Sequence, residues 1–452
     1  MKVHFIAIGG AAMHNMAIAL HKKGFEVTGS DDEIFDPSKS KLEKYKLLPP
    51  AFGWFPEKIS DKLDAIILGM HARKDNSELL RAQELGLKIF SYPEYIYSQC
   101  INKTRVVIGG SHGKTSITAM VLHVFNYFNM NFDYMVGAQL DGFETMVKLS
   151  DAPLIILEGD EYLSSPIDLS PKFLWYKPHI AVLTGIAWDH INVFPTFENY
   201  VEQFENFAKS IEEGGYLFYF TGDENLSSIA LKQTKINCIG YNTPRHNIKD
   251  GVSYLIDDEN NKFELSVFGD HNLQNIEAAK NICFQLGISI NAFNLAIGSF
   301  TGAAKRLERL VTKNNFAAFK DFAHSPSKLK ATVNAVKTQF QARKVVAAVE
   351  LHTFSSLNKK FLNEYAGAMD KADVACVYYS HHTIEHKKLE PISKDEVKSA
   401  FQNENLNVFT SSEKLQKFLE AENYNNAVLL LMSSGNFDGV NLKEFANSVA
   451  PN

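Results

Sequence analysis

Gly110-Ser-His-Gly-Lys-Thr-Ser116 follows the apolar run Val106-Val-Ile108 and precedes the helical pattern Ile117 to Phe128. A strand that ends in a glycine-rich turn and opens a helix aims backbone N–H groups and the positive end of the helix dipole at one small volume. Phosphate oxygens fit there. Lys114 reaches the outer phosphates as a point charge, and the Thr115 hydroxyl is placed to ligate Mg²⁺ between them. The spacing differs from G-x-x-x-x-G-K-[ST] in one respect, Ile108 standing where the first glycine would fall. The order strand, turn, helix still predicts a triphosphate site and an α/β fold built around it.

Outward from that loop the chain alternates short β-branched runs with longer helical patterns, the signature of parallel sheets flanked by helices. Three blocks are expected, at 1–103, 104–302 and 303–452. The first opens with strand 3–8, a turn at Gly9-Gly10, a helix over 12–22 and a strand at Glu26-Val-Thr28, with further strands at 64–68 and 87–90. The second holds the phosphate loop and strands at 154–157, 180–183, 216–220 and 236–240. The third holds strands at 344–349, 374–378 and 427–431.

Length, 452 residues, suits two to four domains that each bury a core. With 45% hydrophobic and 22% charged residues the composition is that of an ordinary globular protein. A net charge of -6 with no basic cluster argues against nucleic-acid or membrane partners. The opening run Met1 to Ile8 flows into a glycine turn and reads as a strand rather than a signal peptide, and no apolar stretch is long enough to span a bilayer. Cys100, Cys238, Cys283 and Cys376 lie far apart, which fits reduced thiols in a cytoplasmic protein.

In the first block, the three glycines of a dinucleotide fingerprint would fall on Ala7, Gly9 and Ala12, with Asp31 as the acidic residue after the second strand. Glycine at one of the three positions disfavours a nicotinamide site. A different diphosphate ligand on the Gly9 to Met13 turn is expected, with a purely structural turn as the other reading. Downstream of the phosphate loop, strand 154–157 ends in Glu158-Gly-Asp-Glu-Tyr162 and strand 180–183 leads to Trp188-Asp-His190. Carboxylates gathered at the carboxyl end of a buried strand repel one another unless a cation is present, and beside a triphosphate that cation is Mg²⁺.

Six motifs in order then resemble the Mur ligases: Gly110 to Thr115, Glu158 to Tyr162, Trp188-Asp-His190, Gly269-Asp-His-Asn-Leu-Gln-Asn275, Lys305-Arg-Leu-Glu308 and Asp321-Phe-Ala-His-Ser-Pro326. The resemblance covers essentially the whole chain. It implies three domains: an N-terminal Rossmann-like domain for a UDP-sugar, a central ATPase with a mostly parallel sheet, and a C-terminal Rossmann-like domain. It also implies an ATP-dependent amide-bond-forming ligase of peptidoglycan metabolism. On this reading Gly110, Ser111, His112, Gly113, Lys114, Thr115 and Ser116 hold the phosphates, and Thr115, Glu158 and His190 hold Mg²⁺. His271, Asn272 and Asn275 meet the adenine side, Arg306 the γ-phosphate and Asp321 the ribose. Lys114, His190 and Arg306 carry the chemistry. Gly9, Gly10, Ala11, Ala12, Met13, Ser30 and Asp31 bind UDP-N-acetylmuramate. Because Arg306 must reach ATP on the central domain, closure of the third domain is expected.

Within the family, Asp160-Glu-Tyr162, Pro171-Lys-Phe173 and Asp189 to Phe194 are more similar to the recycling ligases that add L-alanyl-γ-D-glutamyl-meso-diaminopimelate than to the ligases that add L-alanine. Val349-Glu-Leu-His-Thr-Phe-Ser355 lacks the arginine that the recycling enzymes carry. Members of the muramate subgroups also carry more glycine than Ala7 and Ala12 allow. Ser111 and Ser116 replace threonines, and Lys320 replaces an acidic residue. The rival readings are the L-alanine ligase, a folylpolyglutamate-type ligase, an oxidoreductase using the first block, and a nucleotide-binding regulator without catalysis. His381, His382 and His386 are expected in a solvated loop, and Phe125 to Phe128 on a core-facing helix.

Overall fold

The computed structural model describes residues 1–188, 193–249, 251–303, 307–313 and 315–451. Continuous apolar runs, rather than alternating ones, mark strands covered on both faces, and such strands pair in parallel. The first sheet contains β1 (Lys2–Ile6), β2 (Glu26–Ser30), β3 (Ala65–Leu68) and β4 (Ile89–Ser91), all parallel, in the order β2-β1-β3-β4. β1 lies between β2 and β3, so the connections diverge at its carboxyl end and leave a crevice there. The Gly9-Gly10 turn follows β1.

The second sheet contains β5 (Thr104–Gly109), β6 (Asp133–Met135), β7 (Val147–Lys148), β8 (Leu154–Glu158), β9 (Ile180–Leu183), β10 (Tyr216–Phe220) and β11 (Asn237–Tyr241). Its order is β11-β10-β9-β5-β8-β6-β7, parallel except for β7 against β6. Val106, Val107 and Ile108 in β5 are fully buried, each contributing roughly 1.5–3 kcal/mol of apolar burial. β5 sits between β8 and β9, so the carboxyl ends of all three face the same crevice.

These two sheets belong to one compact unit, 1–242 with 275–296, whose largest core runs from Val3 and Phe5 through Leu157 to Phe204 and Phe207. Inside that unit the loop Gly137 to Met146 meets the first sheet's helix Ala11–Lys22. Asn15 Oδ1 accepts the Met146 N–H at 2.9 Å, and Glu144 takes Lys22 at 2.7 Å and Lys44 at 3.0 Å.

The other unit, 243–274 with 297–452, holds two sheets. β12 (His246–Lys249), β13 (Val252–Ile256) and β14 (Lys262–Leu265) form an antiparallel meander. β15 (Glu308–Lys313), β16 (Phe316–Asp321), β17 (Lys344–Glu350), β18 (Val374–Tyr378), β19 (Asn407–Phe409) and β20 (Ala427–Met432) follow the order β15-β16-β20-β17-β18-β19. All pair in parallel except β15 with β16. One core lies on each face of this sheet.

Two local expectations change. Phe125 is fully buried, but Tyr127 and Phe128 are 53% and 39% exposed, because helix Lys114–Tyr127 ends there and its last turn points outward. His381 to His386 form a short helix after β18 rather than a loop, with Ile384 tucked beneath it.

Candidate active site

The phosphate loop leaves β5 and enters helix Lys114–Tyr127 with Gly113 as its N-cap. Gly110 has φ 122° and Gly113 φ 82°, conformations that L side chains rarely adopt. A Cβ on Gly110 would collide with Thr184 Oγ1, and one on Gly113 with the Asn275 carboxamide. Gly110 is therefore favoured by backbone angle and by space, and Gly113 by backbone angle. Thr184, just beyond β9, donates its hydroxyl to the His112 carbonyl, and the Gly185 carbonyl accepts the Ser111 N–H at 2.9 Å. The helix has no side-chain cap and no acidic residue in its first turn, so its dipole is left open to an anion. Helices elsewhere, such as Phe197–Lys209, carry both. Asn275, expected on the adenine side, lies against this loop.

The carboxylates of the Glu158 segment surround Lys114. Its Nζ donates to Glu161 Oε2 at 2.6 Å and to the Gly110 carbonyl at 2.7 Å. Burial disfavours the ammonium, but Glu161, Asp160 and Glu158 outweigh that cost and raise its pKa. Lys172 Nζ takes Asp160 at 2.6 Å. Burial would raise the Asp160 pKa, yet Lys172 and Lys114 together hold it down to about 2. Two lysines thus face the acidic cluster in this structure. Lysine as well as any Mg²⁺ therefore neutralises the cluster, and no sequence signal gives Lys172 that role.

Glu158 is buried, which raises its pKa against the opposing bonds from Gly137 and Thr115. Thr115 donates its hydroxyl to Glu158 Oε1 at 2.8 Å, and the Gly137 N–H reaches Oε2 at 2.8 Å. Two hard oxygens thus converge beside Lys114. Mg²⁺ commonly takes one or two protein oxygens and completes its octahedron with water and phosphate, so this donor set fits it. Among the described residues no group of three or more His, Cys, Asp or Glu side chains gathers as a metal cage. His190 and Arg306 lie outside the described residues, as do Asp189 and Lys305.

The turn after β1 repeats the arrangement without a lysine. Ala7 takes φ 68°, the angle for which glycine is usual, and its Cβ lies where Gly69 leaves room. Gly10 caps helix Ala11–Lys22, again with no side-chain cap and no acid in the first turn. Gly9, Gly10, Ala11 and Ala12 are at least partly open, whereas the Met13 side chain is in the core. Asp31 Oδ2 accepts the Gly9 N–H at 2.7 Å. Burial, with Asp32 adding to it, pushes the Asp31 pKa up to about 6. Ser30 is fully buried, and its carbonyl accepts the N–H groups of Ala7 and Ile8.

In the second unit, Asp321 ends β16. It accepts the Leu307 N–H, the Ala323 N–H at 2.7 Å and the Thr332 hydroxyl at 3.3 Å. Its Oδ2 therefore ties down the chain at Leu307, while Oδ1 holds Ala323 and Thr332. Burial lowers the His271 pKa, and Asp321 and Asp270 only partly offset that. Asn272 donates to the Phe268 carbonyl at 2.9 Å. At the carboxyl ends of the adjacent strands β17 and β20, buried Glu350 accepts the Phe437 N–H at 2.8 Å and the Ser433 hydroxyl, with His352 Nδ1 3.5 Å away.

Comparison with known proteins agrees with the α/β fold. The Mur ligase catalytic domain matches residues 2–102, the Mur ligase middle domain 108–283 and the Mur ligase glutamate ligase domain 305–435. A UDP-N-acetylmuramate–L-alanine ligase of Caldicellulosiruptor bescii is 30% identical over 389 residues, 83% of each chain. That of Limosilactobacillus reuteri is 27% identical over 449 residues, 96% of each. Among solved structures, the UDP-N-acetylmuramate–alanine ligase of Thermotoga maritima superposes with TM-score 0.71 at 21% identity, covering 99% of this chain and 98% of the other. A murein peptide ligase of Psychrobacter arcticus gives 0.64 at 20% identity with the same coverage. The chain belongs to the Mur ligase family of ATP-dependent ligases and has that family's three domains.

Proposed function

We propose that this chain joins UDP-N-acetylmuramate to L-alanine, with ATP hydrolysed to ADP and phosphate. The observation that carries the proposal is the meeting of Lys114, Thr115 and Glu158 at the carboxyl ends of β5 and β8, where a triphosphate and Mg²⁺ fit. The motifs around Glu158 favour the tripeptide of recycling as the amine. The curated relatives, L-alanine ligases at 27–30% identity, favour alanine instead. Side-chain chemistry supports alanine too. Leu351 to Leu357 contains His352 but no lysine or arginine, enough for one carboxylate and little for a peptide that bears several.

In the proposed reaction, the muramate lactyl carboxylate oxygen attacks the γ-phosphorus of ATP and ADP leaves. The amine nitrogen then attacks the acyl-phosphate carbon, and phosphate departs as the amide forms. Lys114 and Arg306 neutralise charge on the transferred phosphoryl group. When bound, Mg²⁺ supplies further charge neutralisation at the phosphates; Thr115, Glu158 and His190 would hold it. Asp160, paired with Lys172 and held near 2, is a poor proton acceptor for the amine. His271, Asn272, Asn275 and Asp321 are assigned to the nucleoside, and Gly9 to Met13 with Ser30 and Asp31 to the UDP-sugar. Domain divisions after 103 and 302 leave the three parallel sheets unbroken.

The test is phosphate release from ATP in the presence of UDP-N-acetylmuramate, with L-alanine or the tripeptide as the amine. Release with L-alanine alone is expected. Release that needs the tripeptide would reassign the enzyme to recycling, and none with either would remove the ligase reading.

A further inference from the structure

One set of buried hydrogen bonds around the phosphate loop reaches Lys114 through Tyr200 and Glu161, two residues with no part in the reaction above. The Ala187 N–H donates to Ser111 Oγ at 2.9 Å, and Ser111 Oγ lies 3.0 Å from the Tyr200 hydroxyl. That hydroxyl donates to Glu161 Oε1 at 2.9 Å, while Glu161 Oε2 holds Lys114 at 2.6 Å. Counting protons fixes the direction of the chain. A carboxylate only accepts, so the phenol spends its single hydrogen on Glu161. The serine hydrogen then goes to the phenol oxygen, and a serine lone pair takes Ala187. Glu161 is 1% exposed and Tyr200 fully buried, with the Tyr200 ring set between Phe194 and Phe204.

We propose that Glu161, oriented by Tyr200, is a positioning residue that serves as a resident counter-charge which nucleotide phosphate must displace from Lys114. A buried lysine without a partner is costly, and a buried carboxylate equally so. Glu161 keeps Lys114 charged and in place before nucleotide arrives. When phosphate oxygens take the lysine, the Tyr200 hydroxyl remains on Glu161 and limits the cost of releasing it. The exchange makes nucleotide affinity depend on how strongly Glu161 competes. This rests on reading Gly110 to Ser116 as the ATP phosphate loop, and does not depend on which amine is used.

The experiment is calorimetric titration with ADP of the wild-type chain, Glu161→Gln and Tyr200→Phe, beside steady-state KM for ATP and kcat. Glu161→Gln keeps the shape and an acceptor for Tyr200 but removes the competing charge. It should tighten ADP about tenfold and lower KM for ATP, while kcat falls because Lys114 is less well placed. Tyr200→Phe leaves the charge and removes its shared donor, so Glu161 relies more on Lys114 and ADP should weaken by about threefold. Opposite signs are the signature. Loss of ADP affinity in both variants, or no change in Glu161→Gln, overturns the proposal as a merely structural role. Failure of the wild-type chain to bind ADP overturns the phosphate-loop reading and the proposal with it. Should Glu161→Gln not fold, tighter or unchanged binding in Tyr200→Phe is enough to overturn it.

Discussion

The turns after β1 and after β5 share a backbone plan and differ in charge. Each follows a central parallel strand, opens a helix whose first turn lacks acid and side-chain cap, and uses positive φ where the chain bends. After β5 the donors are joined by Lys114, set among three carboxylates. After β1 there is no cation, and the Gly9 N–H is already taken by Asp31. The two turns therefore share the backbone geometry that suits an anion. The side chains around it decide whether the anion is only held, as expected for the diphosphate of a UDP-sugar, or also made reactive.

Substitutions that exchange these characters should break the comparison. Lys114→Met removes the cation and should lower kcat by about 10³-fold, measured as phosphate release, with UDP-N-acetylmuramate binding little changed. A loss below tenfold would make the two turns equivalent. Glu158→Ala should cost about 100-fold, and near-normal Mg²⁺-dependent turnover would remove it from the metal ligands. Asp31→Asn addresses the other turn. Because the folded Asp31 pKa is raised from 3.8 to about 6, the folded chain binds more protons than the unfolded one in that interval. Stability thus falls as pH rises from about 4 to about 6, and Asn should flatten that fall in thermal melts recorded across the window. An unchanged pH profile would show that Asp31 titrates normally. Ala7→Gly should raise stability by less than about 1 kcal/mol, since relief of the left-handed conformation slightly exceeds the lost buried methyl. A lower melting temperature would mean that the contact of Ala7 with Gly69 is worth more than the strain.

Legibility in the sequence followed the locality of the signal. The strand, turn and helix around Lys114 are adjacent in the chain and were read correctly, as were the strands at 154–157, 180–183 and 216–220 and the three-domain α/β plan. β12 to β14 were missed, although Asp257-Asp-Glu-Asn260 between two alternating runs is a hairpin signal. Tyr200, Thr184 and Lys172 could not be found that way. Each reaches its partner across the crevice from a different strand or helix, at sequence separations that no motif fixes. Ala7 was read as a weakness in the diphosphate turn, yet the backbone takes the glycine conformation regardless. The amine substrate was the least legible feature, because the motifs around Glu158 and the curated relatives favour different amines.

The loop Gly137 to Met146 ties helix Ala11–Lys22 to the carboxylate of Glu158 through Asn15 at one end and Gly137 at the other. Another attachment, Glu144 to Lys22 and Lys44, is about half exposed on every partner. Exposed ion pairs weaken as the Debye length shrinks to about 8 Å at physiological ionic strength, while the Asn15 bond does not. Ionic strength should therefore tune how firmly helix Ala11–Lys22 is held against the loop that reaches Glu158. Amide exchange at 137–146 that quickens modestly with salt would show it, and exchange that ignores salt would not.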